Sequence, residues 1–325
     1  LLGGEGDDML AGDAGADSLS GGAGHDVLFF DADDVAVLGG AGFDAAIASG
    51  ETGVTLDMRA SGIEFVQATS SADNVTAAGS GESVSIRTGD GTDTAVGGNV
   101  DDIISGDAGN DHFSGGRGGD YISGGAGNDT LDGGDGDDMV NGGTGDDWLY
   151  GRAGDDFLLA NDGRDFAYGG DGDDYIDGGE GDDFLRGEGG DDALYGGYGL
   201  DDLRGGHGDD YIDAGGNSDV VGTGTGDDTV LGGNGHDDIY IDGWGDKTVY
   251  AGNGTDEIFI EDHGAAQHRV LGGRGNDTVY LDGARSDYDI DYLGINLVDG
   301  WHEYRIVQRD GLVLFVQDVE TIVFR

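Results

Sequence analysis

The sequence predicts an all-β protein: a right-handed parallel β-roll, a solenoid of 18 residues per coil, closed by a small C-terminal β cap. Three observations predict it. A nonapeptide GGxGxDxUx, with U a large apolar residue, recurs as GGAGNDTLD (Gly124–Asp132), GGDGDDMVN (Gly133–Asn141) and GGTGDDWLY (Gly142–Tyr150). Its sixth residue is aspartate eighteen times in succession at a spacing of nine: Asp93, Asp102, Asp111, Asp120, Asp129, Asp138, Asp147, Asp156, Asp165, Asp174, Asp183, Asp192, Asp201, Asp210, Asp219, Asp228, Asp237 and Asp246. Its eighth residue is apolar with the same period, from Ile104, Phe113, Ile122 and Leu131 to Val221, Val230 and Ile239, with Ala167 and Thr248 as weak members.

Each nonapeptide reads as a glycine-rich turn followed by a short strand. Side chains alternate in and out along a strand, so the eighth residue points inward and its neighbours outward. Two nonapeptides make one coil. Stacked coils give parallel strands about 4.8 Å apart on each of two faces, with a thin apolar ribbon between them. Proline would break such ladders, and the chain has none among its 325 residues, against 73 glycines.

The elements follow in order. Residues 1–47 form an N-terminal roll block carrying Asp8, Asp26 and Asp44 in one row. The other row has Asp17, followed by Val35 where the next aspartate belongs. Residues 48–92 read either as degenerate coils of the same solenoid or as an inserted β segment. Residues 93–280 are the main roll. Its rhythm slips after Asp246: Asp256 comes ten residues later, 257–271 forms an irregular bulge, and Gly272–Tyr280 is a last good repeat with Asp277. Residues 281–325 read as short strands of an antiparallel cap, with Trp301, Phe315 and Phe324 in its core. A solenoid needs such a cap over its open apolar end.

Stacking places sixth-position aspartates 18 residues apart on one edge, so like charges face each other across about 5 Å. Without a counter-charge that arrangement is destabilising. The chain supplies few: 69 acidic residues stand against 14 basic ones, a formal charge of -55. A divalent cation between turns reverses the sign of the interaction. Carboxylate and carbonyl oxygens suit a hard ion, and calcium tolerates irregular oxygen cages better than magnesium. Zinc or copper would call for histidine or thiolate. Cysteine is absent, and His25, His112, His207, His236, His263, His268 and His302 are scattered. Counting the gaps between stacked aspartates gives about 18 calcium ions.

Composition excludes other classes. No basic patch meets nucleic-acid phosphates. No apolar run is long enough to span a membrane. HExxH, GxSxG and a cysteine nucleophile are absent, so no catalytic residue is assigned. The chain opens inside a repeat and reads as a piece of something longer.

GGAGNDTLD, GGDGDDMVN, GGEGDDFLR and GGNGHDDIY resemble the repeats-in-toxin (RTX) family of hemolysin-type calcium-binding repeats. The resemblance covers about 1–47 and 88–280, and the tail DYDIDYLG with VQDVETIVF resembles the segment that closes such blocks. It implies export by a type I secretion apparatus, a chain unfolded in low calcium that folds outside the cell, and sixth-position aspartates as the carboxylate ligands. It therefore places the chain as secreted, extracellular or at a cell surface. Three roles follow: a structural, folding and export module of a larger secreted protein; a self-assembling surface, filament or adhesin protein; or a non-catalytic module of a polysaccharide-acting or hydrolytic enzyme. Tyr121, Tyr150, Tyr175 and Tyr211 point outward and suit either a contact stripe for self-association or an ordinary surface; cell-surface polysaccharide is a further candidate partner.

Overall fold

The computed structural model describes residues 1–261, 266–295, 302–309 and 311–325. Their regular elements are nearly all strands, joined by short turns. The exceptions are one helical turn, Met58–Ser61, and a 3-10 turn at Arg285–Asp287. Two compact units share the chain, Leu1–Leu159 and Ala160–Arg325, and each is a parallel β-roll.

In the first unit one face stacks Met9–Ala11, Val27–Phe30, Ala45–Ala48, Phe65–Gln67, Ser85–Arg87, Ile103–Ser105, Tyr121–Ala126 and Met139–Thr144, all parallel. The other stacks Thr55–Asp57, Asn74–Thr76, Thr94–Val96, His112–Arg117, Thr130–Asp135 and Trp148–Ala153. Leu2–Glu5, Ser18–Ala23 and Ala36–Ala41 form a separate parallel sheet. Residues 48–92 contribute strands to both faces, in coils that are longer than 18: Ala45 pairs with Phe65 and Phe65 with Ser85. The extra length includes the Met58–Ser61 turn. Asp57 caps its start by accepting from the Ala60 N–H, and Gly62, at φ 60°, ends it.

The second unit repeats the plan. Phe166–Asp171, Phe184–Gly189, Asp202–His207, Val220–Thr225, Asp238–Ile241, Glu257–Ile260, Thr278–Leu281 and Thr321–Phe324 stack on one face. Tyr175–Glu180, Ala193–Tyr198, Tyr211–Gly216, Thr229–Gly235, Thr248–Gly254, Gln267–Gly275 and Val313–Gln317 stack on the other. The C-terminal segment is only half an antiparallel cap. Tyr288–Ile295, His302–Gln308 and Val313–Gln317 do pair antiparallel. Val313–Gln317 and Thr321–Phe324 also extend the two parallel faces. Ile306, Leu312, Leu314 and Val316 are buried there, whereas Phe315 is outward and exposed, because strand alternation puts it on the opposite side from Leu314. Phe324 packs on Tyr288, and Trp301 lies outside the described residues.

The ribbon between the faces consists of the eighth-position side chains. Phe113, Leu131, Leu149, Leu185, Ile212 and Ile239 have no exposed surface, and Ala167 fits the same row. Leu131 stands directly over Leu149 in register. Burying such a side chain contributes about 1.5–3 kcal/mol, and every coil adds another pair. The turns require glycine for two reasons, both visible at Gly143. Its φ is 116°, and a Cβ there would lie 1.9 Å from the Gly125 carbonyl oxygen of the preceding coil. Where the glycine pair drifts, the chain accepts the same backbone at Arg152, Asn161 and Glu188, all at positive φ. Arg152 gains an ion pair with Asp132 and lies over the Tyr150 ring.

Candidate calcium ladders

The sixth-position aspartate ends the turn and opens the strand, so its side chain comes back over the turn of its own coil. In both units it makes the same bond: Oδ1 accepts the backbone N–H of the sixth residue one coil earlier. Asp93 N–H donates to Asp111, Asp111 to Asp129 and Asp129 to Asp147, at 2.7–2.9 Å. Asp102 donates to Asp120, Asp120 to Asp138 and Asp138 to Asp156. In the second unit Asp165, Asp183, Asp201, Asp219, Asp237, Asp256 and Asp277 form one such ladder. Asp174, Asp192, Asp210 and Asp228 form the other. Near the N-terminus Asp8, Asp26 and Asp44 are linked in the same way.

The second oxygen has a different fate. Oδ2 of Asp26, Asp44, Asp111, Asp120, Asp129, Asp138, Asp183, Asp192, Asp201, Asp210, Asp219, Asp237 and Asp277 is buried without a hydrogen-bond partner. A buried carboxylate oxygen left so costs several kcal/mol, of order 1–3 or more for a charged group. Backbone carbonyl oxygens approach the same turn. A Cβ built on Gly205 would fall 2.1 Å from Asp210 Oδ2 and 2.7 Å from the Thr223 carbonyl oxygen of the next coil. The carbonyls of Gly206 and Gly208 in the same turn point at Gly224 and Gly226 of the next. Among the described residues no three acidic or histidine side chains converge on one point. The candidate donor set is instead carboxylate plus backbone carbonyl, all hard oxygen, repeated coil by coil where the sixth residue is aspartate.

Electrostatics agree. Burial pushes the Asp192 carboxyl up to about 8, and the charges of Asp210, Asp174 and Asp173 push it the same way, against the Asp174 N–H it accepts. Burial likewise raises Asp111, Asp138, Asp183, Asp210, Asp219 and Asp237 to about 7, with carboxylates of neighbouring coils adding to it. Carboxyls so placed reject their charge unless a cation supplies the compensation. The profile of the RTX calcium-binding nonapeptide repeat matches residues 2–34, 87–122, 114–149, 132–167, 150–185, 186–221, 223–243 and 269–284, more than half of the chain. The chain belongs to the RTX calcium-binding repeat family. A search of curated proteins returned no match to it.

The RTX ladders are fuller than spacing alone shows. Glu64 stands one coil beyond Asp44 and accepts its N–H. Asp73 precedes Asp93 and accepts the Val54 N–H, but its Oδ2 is taken by the Thr69 N–H and hydroxyl, and Asp102 Oδ2 by the Gly98 N–H. Glu320 closes the Asp277 ladder. These residues sit 20 or 43 positions from their neighbours, so a period of 18 passes over them. Beside Asp17, the missing aspartate is Asp34, one residue early: it accepts the Asp17 N–H while Val35 turns outward, 70% exposed.

Asp246 is placed differently from its spacing. It is exposed, and its N–H donates to Asp227 Oδ1, the bond that fifth-position residues make, as Asp227 does with Asp209. Thr248 pairs with Thr229, 19 residues back, so the coil holds one extra residue before Asp246 and the sixth position falls on Lys247. The same shift puts Val249, fully buried, in the apolar row in place of Thr248. His268 follows Lys247 in that ladder, its Nδ1 accepting the Lys247 N–H at 3.1 Å. In the bulge after 257, residues 262–265 lie outside the described residues; Glu257 pairs with Thr278, which holds Asp256 and Asp277 in register across it. The four outward tyrosines form no single stripe. In the first unit Tyr121 and Tyr150 lie on opposite faces. In the second, Tyr175 and Tyr211 share a face, with Tyr195 between them at ring distances of 5.1 and 5.8 Å.

Proposed function

We propose that this RTX roll is the calcium-triggered structural and export module of a larger secreted protein: unfolded where calcium is scarce, folded where it is abundant. The observation that carries the reading is the row of buried aspartates in which second oxygens such as those of Asp129, Asp138, Asp183 and Asp192 meet no protein donor. Fourteen basic residues cannot neutralise 69 acidic ones, and most of the described arginines are at the surface. Metal binding then becomes folding free energy, and each ion tied between two coils prepares the next. A working range of about 10⁻⁴–10⁻³ M would match extracellular calcium. Export through a type I apparatus fits a chain that stays unfolded inside the cell. The ladder gaps support a count near the 18 expected from spacing, at about one ion per gap. The test is circular dichroism of the full 325-residue chain in chelator-buffered calcium. A steep gain of sheet with calcium is expected; full sheet content in excess chelator at neutral pH would refute the reading.

A further inference from the structure

We propose that Lys247 is a built-in cation, whose ammonium closes one gap of the roll in the place where calcium closes the others. The inference rests on the calcium reading above.

The backbone places Lys247 as the sixth residue of its turn. Thr248, which follows it, donates its N–H to the Asp228 carbonyl, as Thr229 does to the Asp210 carbonyl one coil earlier. The side chain does not leave for solvent. It is fully buried and runs back toward the preceding turn, where Nζ lies 2.7 Å from Asp228 Oδ2. It also donates to the carbonyls of Gly226 at 2.5 Å, Gly224 at 3.0 Å and Trp244 at 3.3 Å. Gly224, Gly226 and Asp228 are the second, fourth and sixth residues of their repeat. The ammonium therefore touches the same carboxylate oxygen and carbonyls that line the other gaps.

Charge fits as well as geometry. A divalent ion in a gap lies between the carboxylates of two rungs, each of which also borders the neighbouring gap. Here one aspartate of the pair is replaced, and one ammonium faces one carboxylate. A buried Lys–Asp pair by itself is a poor source of stability because desolvation offsets the attraction. The three carbonyls supply the remaining acceptors that an ammonium needs, so this lysine is housed as an ion would be. Beyond it the same ladder continues with His268 and, in register with it, Leu314, neither of them a carboxylate. The opposite face keeps Asp237, Asp256, Asp277 and Glu320 to the end. One edge of the second unit thus changes from metal to internal cation at Lys247, next to the C-terminal strands. Those coils have a calcium-independent tie from which metal-driven stacking can start.

The test uses the full chain and two variants, Lys247→Asp and Lys247→Met, with calcium counted by native mass spectrometry and folding followed in a calcium titration. Lys247→Asp restores the missing carboxylate and is expected to bind one more ion than the wild type. Lys247→Met keeps the bulk, leaves Asp228 without its cation and is expected to raise the calcium midpoint at least about threefold with no gain of an ion. If Lys247→Asp does not fold, the methionine variant decides alone. An unchanged count in a folded Lys247→Asp, or an unchanged midpoint in Lys247→Met, would overturn the proposal while leaving calcium-driven folding intact. A wild-type chain that binds no calcium would overturn both.

Discussion

Asp129 uses its two carboxylate oxygens differently: Oδ1 accepts the Asp111 N–H across one coil at 2.8 Å, while Oδ2 is buried with no hydrogen-bond partner. One oxygen ties the two coils together, and the other is the proposed calcium ligand. The two roles can be separated. Asp129→Asn keeps an acceptor for Asp111 and removes the charge. It should still fold at saturating calcium, bind at least one ion fewer and need several-fold more calcium, roughly a 1 kcal/mol effect or more. Asp129→Ala loses both roles and should shift the midpoint further. Native mass spectrometry with a calcium titration checks both; an asparagine variant with the wild-type count would remove Oδ2 from the ligand set.

The ladders also predict an unusual response to acid. Asp111, Asp138, Asp183 and Asp192 have folded-state values raised to between about 7 and about 8, above the ordinary 3.8, chiefly by burial. The metal-free fold therefore binds protons more tightly than the unfolded chain does. That contribution is complete below about pH 4 and is lost as pH rises through the raised values. In excess chelator, sheet content should grow as pH falls from 8 toward 5. Circular dichroism against pH measures it, and more metal-free sheet at pH 8 than at pH 5 would contradict the ladder electrostatics. With calcium present the dependence should reverse, because protons compete with the ion.

Leu149 tests the interior. It has no exposed surface and stacks on Leu131. Leu149→Asp places an unpaired charge in a ribbon two side chains thick. A loss of about 3 kcal/mol or more is expected, read as a higher calcium midpoint and a lower melting temperature. An unchanged midpoint would show that the eighth position does not form the core.

Gly143 tests the turns. Gly143→Ala meets both a positive φ and the Gly125 carbonyl at 1.9 Å, so a cost of at least about 2 kcal/mol is expected. Gly81→Ala is the control, because a Cβ at Gly81 meets nothing within 4 Å. Equal effects of the two substitutions on thermal stability would remove the steric argument.

How much of this was legible in the chain depends on what period nine can carry. Spacing identifies the coil, the two faces, the apolar row and the carboxylate row, because each recurs where the repeat is regular. Leu149, Asp129 and Gly143 could be assigned their places from sequence alone. Spacing loses hold where a coil gains residues. Asp73 and Glu64 lie 20 residues from their ladder neighbours, and Asp34 is one residue early, so no fixed period reaches them.

At residues 246 and 247 the sequence offers an aspartate and a lysine side by side, and a regular count selects the aspartate. The pairing of Thr248 with Thr229 selects the lysine. The sequence by itself determined the solenoid and its calcium-binding repeats, since a repeated unit has one economical way to stack and its sixth-position aspartates share one sign. Only the tertiary structure decided which residue fills each rung. A strand's register is fixed by hydrogen bonds to the coil before it, and an inserted residue is absorbed wherever the turn has room. That choice seats Lys247, and not Asp246, against Asp228.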